Sequence, residues 1–500
     1  MAAERPDRTY RFDPVDASGI FLGLGAVQCA LLGAGLLAGV GAITAGLPVL
    51  VAAVPVVGGA VASFARIGGY AAWEWLPLGA SWLGVIVGRR RRWFPRLPLV
   101  TAEVDDHPPP MPPCLAGLTI IDLPWRGRMT LGAVHDGDRH TLTAAVRVTG
   151  PQFVVEPRSE QERLLAGWGD LLNQYAVEGG AITHLAWTDL ASPSGLEDHL
   201  AWLPDRPADD DGEPALRDAY DDLIADASAT AANHETLLTI TAACDRLGRH
   251  QRARTEDPQA ALGRALVSAT EALLRGVRSA GLTAGDPLTA TEMQRALRRR
   301  IDPLATRPRA APTGRLVERL GLVTHRTSGP AALELDWRHL HLEAAYHRTY
   351  HVASWPRLAV PPSWLEPFLS AGGITRTMTV VLNPVPAHQS RRQIERDLVK
   401  LESDAATKEQ QGRRIDARHR RATQSLLDRE EELVAGYSEI GYAGLVTVTA
   451  ANPDELEDHA EIIEQLARES GMELRCLDGR QDLGWAAALP LGLAPRTLLS

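Results

Sequence analysis

Between Asp16 and Arg66 the chain carries no charged residue. At about 1.5 Å per residue such a run makes roughly 70 Å of helix, enough to cross an apolar layer about 30 Å thick twice. It predicts a transmembrane helical hairpin over 20–65, with spans at 20–40 and 47–64. Gly41-Ala42-Ile43-Thr44-Ala45-Gly46 is the expected reversal, and Pro48 lies just inside the second helix. A signal peptide is the rival. It calls for a basic leader and a short apolar run, whereas Met1-Ala2-Ala3-Glu4-Arg5-Pro6-Asp7 mixes signs and the run is far longer. Gly35 and Gly39 form a GxxxG among other small residues, which predicts close helix packing, within the chain or between chains. Gly33-Ala34-Gly35-Leu36-Leu37-Ala38 superficially resembles a dinucleotide loop, but no strand precedes it.

Residues 66–98 change character. Trp73, Trp75 and Trp82 sit among apolar residues, a density that suits the headgroup zone, and an amphipathic segment along the membrane surface is expected. Arg89-Arg90-Arg91-Arg92 follows. The positive-inside rule makes this cluster cytoplasmic, so both termini and the soluble region are expected in the cytoplasm, with anionic lipid as the arginines' favoured partner and nucleic acid as the lesser alternative left open. The whole chain has a net charge of −10 and a mean hydropathy of −0.12, which leaves most of it soluble and without an overall basic field.

Lysine occurs only at Lys400 and Lys408, and neither follows the glycines of a P-loop, so no Walker-type nucleotide site is present. Cys29, Cys114, Cys244 and Cys476 are too dispersed for a metal motif or a disulfide framework and read as reduced structural thiols. His339, His341, His347 and His351 are the richest ligand cluster, but no carboxylate or cysteine completes a familiar spacing. No Gly-x-Ser-x-Gly elbow occurs, and Glu430-Glu431-Glu432 belongs to a solvated helix. No catalytic residue, cofactor or metal is expected.

After a Pro-rich linker at 99–114, alternating runs predict strands at 118–123, 129–135, 139–149 and 181–189, with Asp136-Gly137-Asp138 as a hairpin turn and a helix at 160–177. An acidic loop at 205–213, a helix at 215–227, a strand at 234–243 and helices at 259–280 and 289–301 complete a subdomain over 115–305. A Pro- and Arg-rich stretch at 305–313 leads to a second subdomain over 314–493. It carries strands at 333–335, 346–355, 375–382, 445–450 and 473–476, and a helix at 453–469. Residues 388–432 are densely charged with both signs, and Ile394, Leu398, Leu401 and Ala405, then Ile415, Ala422, Leu426 and Leu433, keep a/d spacing. A long helical hairpin turning near Gly412 is expected, either an arm for a partner or a solvated hairpin packed on its own domain. The fold class is α+β: a two-helix transmembrane hairpin after a tail at 1–19, then a mixed antiparallel-sheet and helix cytoplasmic domain bearing the long hairpin.

The order of these segments resembles two components of type IV secretion and conjugation machines joined in one chain. The apolar hairpin and the aromatic-basic stretch through Trp93 are similar to the small PrgI-like two-span membrane subunit. The remainder resembles the non-motor N-terminal domain of VirB-type conjugative ATPases at three places. These are Phe153-Val154-Val155-Glu156-Pro157 running into Gly167-Trp168-Gly169; Thr349-Tyr350-His351-Val352-Ala353-Ser354-Trp355-Pro356, with Trp364 and Leu382-Asn383-Pro384-Val385-Pro386 after it; and Gln481 with Leu489-Pro490-Leu491-Gly492. In that family a Leu-Pro-Leu-Gly-like segment precedes the motor domain, which is missing from these 500 residues together with its catalytic residues. The resemblance implies a non-catalytic structural subunit of an actinobacterial type IV secretion-like apparatus for conjugative DNA transfer. Its partners would be membrane lipids, a separate motor ATPase, other apparatus subunits and further copies of itself. A type VII-like secretion membrane component and a membrane-bound enzyme of unrecognised type are the other two classes, separated by gene neighbours and by substitution of the four histidines.

Overall fold

The computed structural model describes residues 26–67, 70–95, 111–151, 153–176, 180–193, 219–220, 222–224, 232–247, 257–304, 329–356, 358, 360–410 and 417–493. The expected tail at 1–19, acidic loop at 205–213, Pro/Arg-rich stretch at 305–313 and turn at Gly412 lie outside them. So do most of the linker at 99–114 and of the helix at 215–227.

Two apolar helices come first, α1 (Ala26–Thr44) and α2 (Val49–Phe64), followed by a ribbon of β1 (Arg66–Ile67) and β2 (Tyr70–Ala71), helix α3 (Trp75–Val87) and strand β3 (Arg92–Trp93). The reversal is shorter than the six residues expected. Helix α1 runs on through Thr44, and Gly46, at φ +77°, takes the left-handed turn that a side chain resists. Pro48 is not inside α2 but caps it, since its ring leaves no N–H to orphan at a helix start.

The chain then lays down the same order of strands twice, each set closed by a helix, a short strand and a second helix. The first set is β4 (Leu118–Pro124), β5 (Thr130–Asp136), β6 (Thr141–Thr149), α4 (Arg158–Asn173), β7 (Ile182–Pro193), β8 (Ala232–Ala243), α5 (Pro258–Ser279), β9 (Thr283–Pro287) and α6 (Ala290–Ile301). The second is β10 (Leu333–Leu335), β11 (Leu340–Leu342), β12 (Ala345–Ser354), β13 (Thr375–Pro384), the hairpin α7 (Ala387–Gln410) and α8 (Ala417–Val434), β14 (Ile440–Ala450), α9 (Pro453–Glu469), β15 (Glu473–Cys476) and α10 (Gln481–Ala488). All these strands and β3 join one antiparallel sheet in the order β3-β10-β11-β12-β14-β13-β7-β8-β6-β5-β4. Strands β15 and β9 pair additionally with β12 and β6.

From β10 to β4 the order reads as the same topology from either end, with a pseudo-two-fold axis between β13 and β7. Matching the β6–β9 register (Val146 opposite Pro287) to the β12–β15 register (Tyr350 opposite Cys476) puts that axis at the Thr188–Thr379 pair. There the Thr379 hydroxyl donates to Thr188 Oγ1 at 3.2 Å.

Each strand shows opposite faces at alternate residues, and the two faces differ in chemistry. One is aliphatic. Leu142, Ala144, Val146, Leu238 and Ile240 meet Leu262, Leu266, Leu273 and Val277 of α5, a stripe at helical spacing. Tyr350, Val446 and Val448 meet Leu456, Ala460 and Ile463 of α9 in the same way. Asp257 and Asn452 cap the two helices by accepting from the Gln259 and Glu455 N–H groups, and Gly281 and Gly471, both at positive φ, end them.

The other face is a buried layer of threonines. Thr143 and Thr241 share a hydrogen bond of 2.9 Å and Thr349 and Thr447 one of 3.0 Å. β-Branching suits Thr to strands, but each buried hydroxyl must find a partner. Helix α10 and the segment after it supply several. The Thr379 hydroxyl donates to the Ala488 carbonyl at 2.7 Å, the Gln481 Oε1 accepts from the Thr349 N–H at 2.7 Å, and the Gly492 carbonyl meets His184 Nε2 at 3.0 Å. A side chain at Gly492 would collide with Thr143 and Thr241, so only glycine lets the backbone lie this close.

His347 belongs to this layer. Its Nε2–H donates to the Ile301 carbonyl at 3.0 Å, which fixes the tautomer and leaves Nδ1 to accept from Thr449 Oγ1 at 2.9 Å. Burial pushes its pKa down to about 4. An unfolded histidine takes up its proton near pH 6.5 while the folded one resists until about 4, so stability is lost as pH falls through that window, by about 3 kcal/mol in total. His347→Gln keeps one donor and one acceptor but no titration. Thermal midpoints measured in detergent between pH 7 and pH 4 are expected to fall less steeply for this variant than for the parent protein.

Candidate functional site

The part of the chain whose chemistry departs most from an ordinary soluble domain is the N-terminal apolar helix pair and the joint of the segment after it with the sheet. Helices α1 and α2 pack along the GxxxG, within one chain. A Cβ on Gly35 would stand 2.7 Å from the Pro55 carbonyl, and one on Gly39 2.6 Å from Val56 Cγ2. Gly59 is the matching small residue on α2, 3.3 Å from the Gly35 Cα by the same construction. A polar clasp closes the open end of the pair: Gln28 Nε2 donates to the Ser63 carbonyl at 2.8 Å, and Ser63 Oγ donates to Gly59 at 2.7 Å and to the Gln28 carbonyl at 3.2 Å. The sequence reading missed Gln28, Ser63 and Gly59. A lone glutamine and serine inside uncharged runs were the available signal, since such groups need each other where water is scarce.

The outward surfaces of the pair are bare. Leu37 is 76% exposed, Leu50 85% and Val49 75%, with Val54, Val57 and Phe64 open alongside. Among the described residues one helix, over Val27–Thr44, is long and apolar enough to cross a membrane. Helix α2 is equally apolar but has 16 residues, which at 1.5 Å each gives about 24 Å, short of a full crossing. The expected second span of 18 residues is shortened by two because Pro48 caps the helix, which begins at Val49 and not at Leu47.

Helix α3 follows after one 3-10 turn that holds the half-buried Trp73. It does not stand apart from the soluble region. Trp75 stacks on Trp337 with centroids 6.0 Å apart, and Trp82 meets the same ring edge-on at 5.3 Å. Trp337 lies in the turn between β10 and β11, and its ring rests on Gly479, where a Cβ would come within 2.9 Å. Trp82, Val85 and Trp93 also pack on the core built around Leu333, Leu335 and Trp485.

Strand β3 then pairs with β10, Trp93 opposite Leu333 and Arg92 opposite Glu334. Arg91 donates to Asp336 at 3.2 Å and to the Leu335 carbonyl at 3.2 Å, with its guanidinium 5.8 Å from the Trp82 ring centre. Arg92 reaches Glu334 at 2.8 Å. The four arginines are thus divided: Arg91 and Arg92 clamp the anchor to the sheet edge, while Arg89 and Arg90 are exposed. Glu334, Asp336 and Trp337 were not singled out from the sequence, because partners more than 240 positions away leave no local pattern.

Arg89 has a positive φ of +53°. The Arg89 and Arg90 N–H groups return to the Ile86 and Val85 carbonyls at 3.1 and 2.9 Å, a helix-ending turn whose left-handed position glycine normally fills. Gly88 stands one residue too early, with φ −73°, so an arginine carries the cost of about 1 kcal/mol.

The histidines form no common site. His341 stacks on Tyr346 at 4.0 Å and His339 lies against the same ring, on the aliphatic face, while His347 and His351 point to the threonine face. Among the described residues no group of three or more His, Cys, Asp or Glu side chains is placed to hold a metal ion. The strongest charge network elsewhere is built from Glu235 with Arg147, Arg299 and Arg300. Burial pushes the Glu235 carboxyl up, but the three guanidiniums outweigh it and leave its pKa below the ordinary range, as for a structural ion pair. Cys114 and Cys476 are pushed up by burial, Cys476 to about 12, which makes both poor nucleophiles. A scan against protein-family models and a search of curated proteins find no match for this chain.

The joint gives a direct expectation. Trp337→Ala removes the ring on which Trp75 and Trp82 close and is expected to weaken docking of α3 by about 3 kcal/mol or more. Hydrogen exchange in detergent should accelerate over 75–93 while the β7–β13 amides keep their protection.

Proposed function

We propose that this protein is a membrane-anchored, non-catalytic structural subunit of a type IV secretion-like apparatus for conjugative DNA transfer, and that its sheet domain docks a motor ATPase. The observation that carries the anchor is the pair α1–α2, tightly packed inside and aliphatic outside, with no protein covering its outer surface among the described residues. An apolar face of this extent needs a cover, and a bilayer provides one without further specificity. Helix α1 spans the bilayer. Helix α2 returns through it, and its short length is met by local thinning around the hairpin. Both termini and the sheet then lie on the cytoplasmic side, with α3 at the headgroup level.

The platform role is supported by how the anchor meets the domain. Stacked tryptophans, a strand pairing and two arginine clamps make a stiff joint in place of a flexible tether. A stiff joint holds a large surface at a set height and angle above the membrane, as a subunit does when it positions a partner. The segments that resemble the conjugative ATPase's non-motor domain fall at the start of α4, along β12 and on the strap after α10. The 500 residues carry no P-loop, so hydrolysis in this assembly belongs to the ATPase it binds. The charged hairpin α7–α8 is the arm best placed for that contact. Between its helices lies a groove lined by Leu398, Leu401, Ala405 and His419.

Purification of the intact protein in a mild detergent is expected to bring down an ATPase with a P-loop. Recovery of small secreted helical-hairpin proteins in its place would move the assignment to a type VII-like system. Reporter fusions after Thr44, after Arg92 and at Ser500 are expected to read external, cytoplasmic and cytoplasmic, and an external Ser500 would remove the ATPase-platform role.

A further inference from the structure

Arg89 and Arg90 are left over from the joint that uses Arg91 and Arg92. Both are exposed, and neither forms an ion pair with a described residue. They also sit at the end of a particular surface. Helix α3 turns Trp75, Leu78, Trp82 and Val85 inward, and the opposite stripe of Leu76, Leu83, Ile86 and Val87 lies open, Val87 at 81% exposure. One side of α3 is therefore docked on protein, and the other is an apolar track that no described residue covers, ending at two guanidiniums that pair with no described carboxylate. Arg89 is held there in the left-handed position that glycine would occupy without strain.

From this juxtaposition we infer that the end of α3 is a binding site for an anionic phospholipid, with Arg89 and Arg90 on the headgroup phosphate and Leu83, Ile86 and Val87 along the acyl chains. The inference rests on the membrane placement proposed above and goes beyond it in naming the two arginines of the four that hold the headgroup and the stripe that takes the acyl chains. Guanidinium forks match phosphate oxygens in geometry as well as charge, and an apolar stripe beside them favours a phosphate that carries hydrocarbon. A zwitterionic lipid meets the same stripe but brings no net charge to the arginines. The bland alternative is that the arginines only complement the carbonyl end of the helix dipole. In that case replacing them would lower stability and leave lipid preference alone.

The test uses the full chain, extracted in mild detergent from bilayers of phosphatidylcholine with about 30% phosphatidylglycerol, a charge density that gives arginines their effect. Native mass spectrometry then counts the lipid each protein retains. The parent is expected to keep phosphatidylglycerol over phosphatidylcholine, and Arg89→Gly with Arg90→Gln to lose that preference by about thirtyfold. The thermal midpoint of Arg89→Gly alone is expected to hold or rise, because glycine relieves the backbone. Undiminished phosphatidylglycerol retention in the double variant overturns the site. So does equal retention of both lipids by the parent, or release of the bound lipid by millimolar-range inorganic phosphate (on the order of the effective concentrations that compete at exposed sites), which would mark a plain phosphate site. Alkaline carbonate extraction of the native membrane is read separately: release of the parent protein there sinks the anchor itself, whereas failure of the lipid preference with the protein still embedded sinks only the headgroup assignment.

Discussion

The pairing of β7 with β13 is the interaction on which the rest of the molecule depends. It runs over seven residue pairs, from Arg376 opposite Ala191 to Leu382 opposite Leu185, and it is the one place where the two repeated halves meet strand to strand. Each half alone would present a long unpaired edge at its centre, a row of N–H and C=O groups open to any other strand. Joined, the two edges satisfy each other, and the helices on the aliphatic face and the α10 strap on the threonine face close over the seam. Hydrophobic burial supplies most of the stabilisation, as in any domain of this size, but the strand pairing decides which halves are buried together.

The two faces of the sheet divide the labour between strength and precision. On the α5 and α9 side, leucine, valine and isoleucine tolerate small adjustments in packing. On the other side every buried threonine hydroxyl and His347 has a directional requirement, and an unmet one costs about 1–3 kcal/mol. The covering segment is therefore specified residue by residue: Gln481 for a backbone edge, Ala488 by its carbonyl, Gly492 by having no side chain. The part of the sequence that resembles a linker to a motor domain is here the lid of a polar layer.

Much of this was legible in the sequence. Strands and helices with clean alternation or helical stripes fall within a few residues of their observed bounds, among them β4 to β6, β8, α5, α6 and α9. The charged helical hairpin could be read from its a/d spacing, and the apolar helix pair α1–α2 from a run without charge. Three short elements could not: β3, β9 and β11 have two, five and three residues, too few for a period to show, whereas the equally short β10 and β15 were placed at their observed bounds. The repeat also went unseen. Its halves share topology with little identity, and the matching helix ends, Ala280-Gly281-Leu282 and Ser470-Gly471-Met472, are too brief to declare it alone. The joint escaped for a different reason. Arg89 to Arg92 are one word in the sequence and two functions in the fold, because the choice between them is made by Glu334 and Asp336, far along the chain.

That distance has a consequence for the order in which the molecule is made. Arg92 and its partner Glu334 are separated by 242 positions, and the ribosome completes the anchor long before it reaches the socket. At roughly 5–20 residues per second the delay is tens of seconds, time enough for α1 and α2 to pack on each other. The sheet must then assemble with one end already tethered. Its final edge strand, β3, is already joined to the helix pair, so the sheet closes onto a segment made long before it.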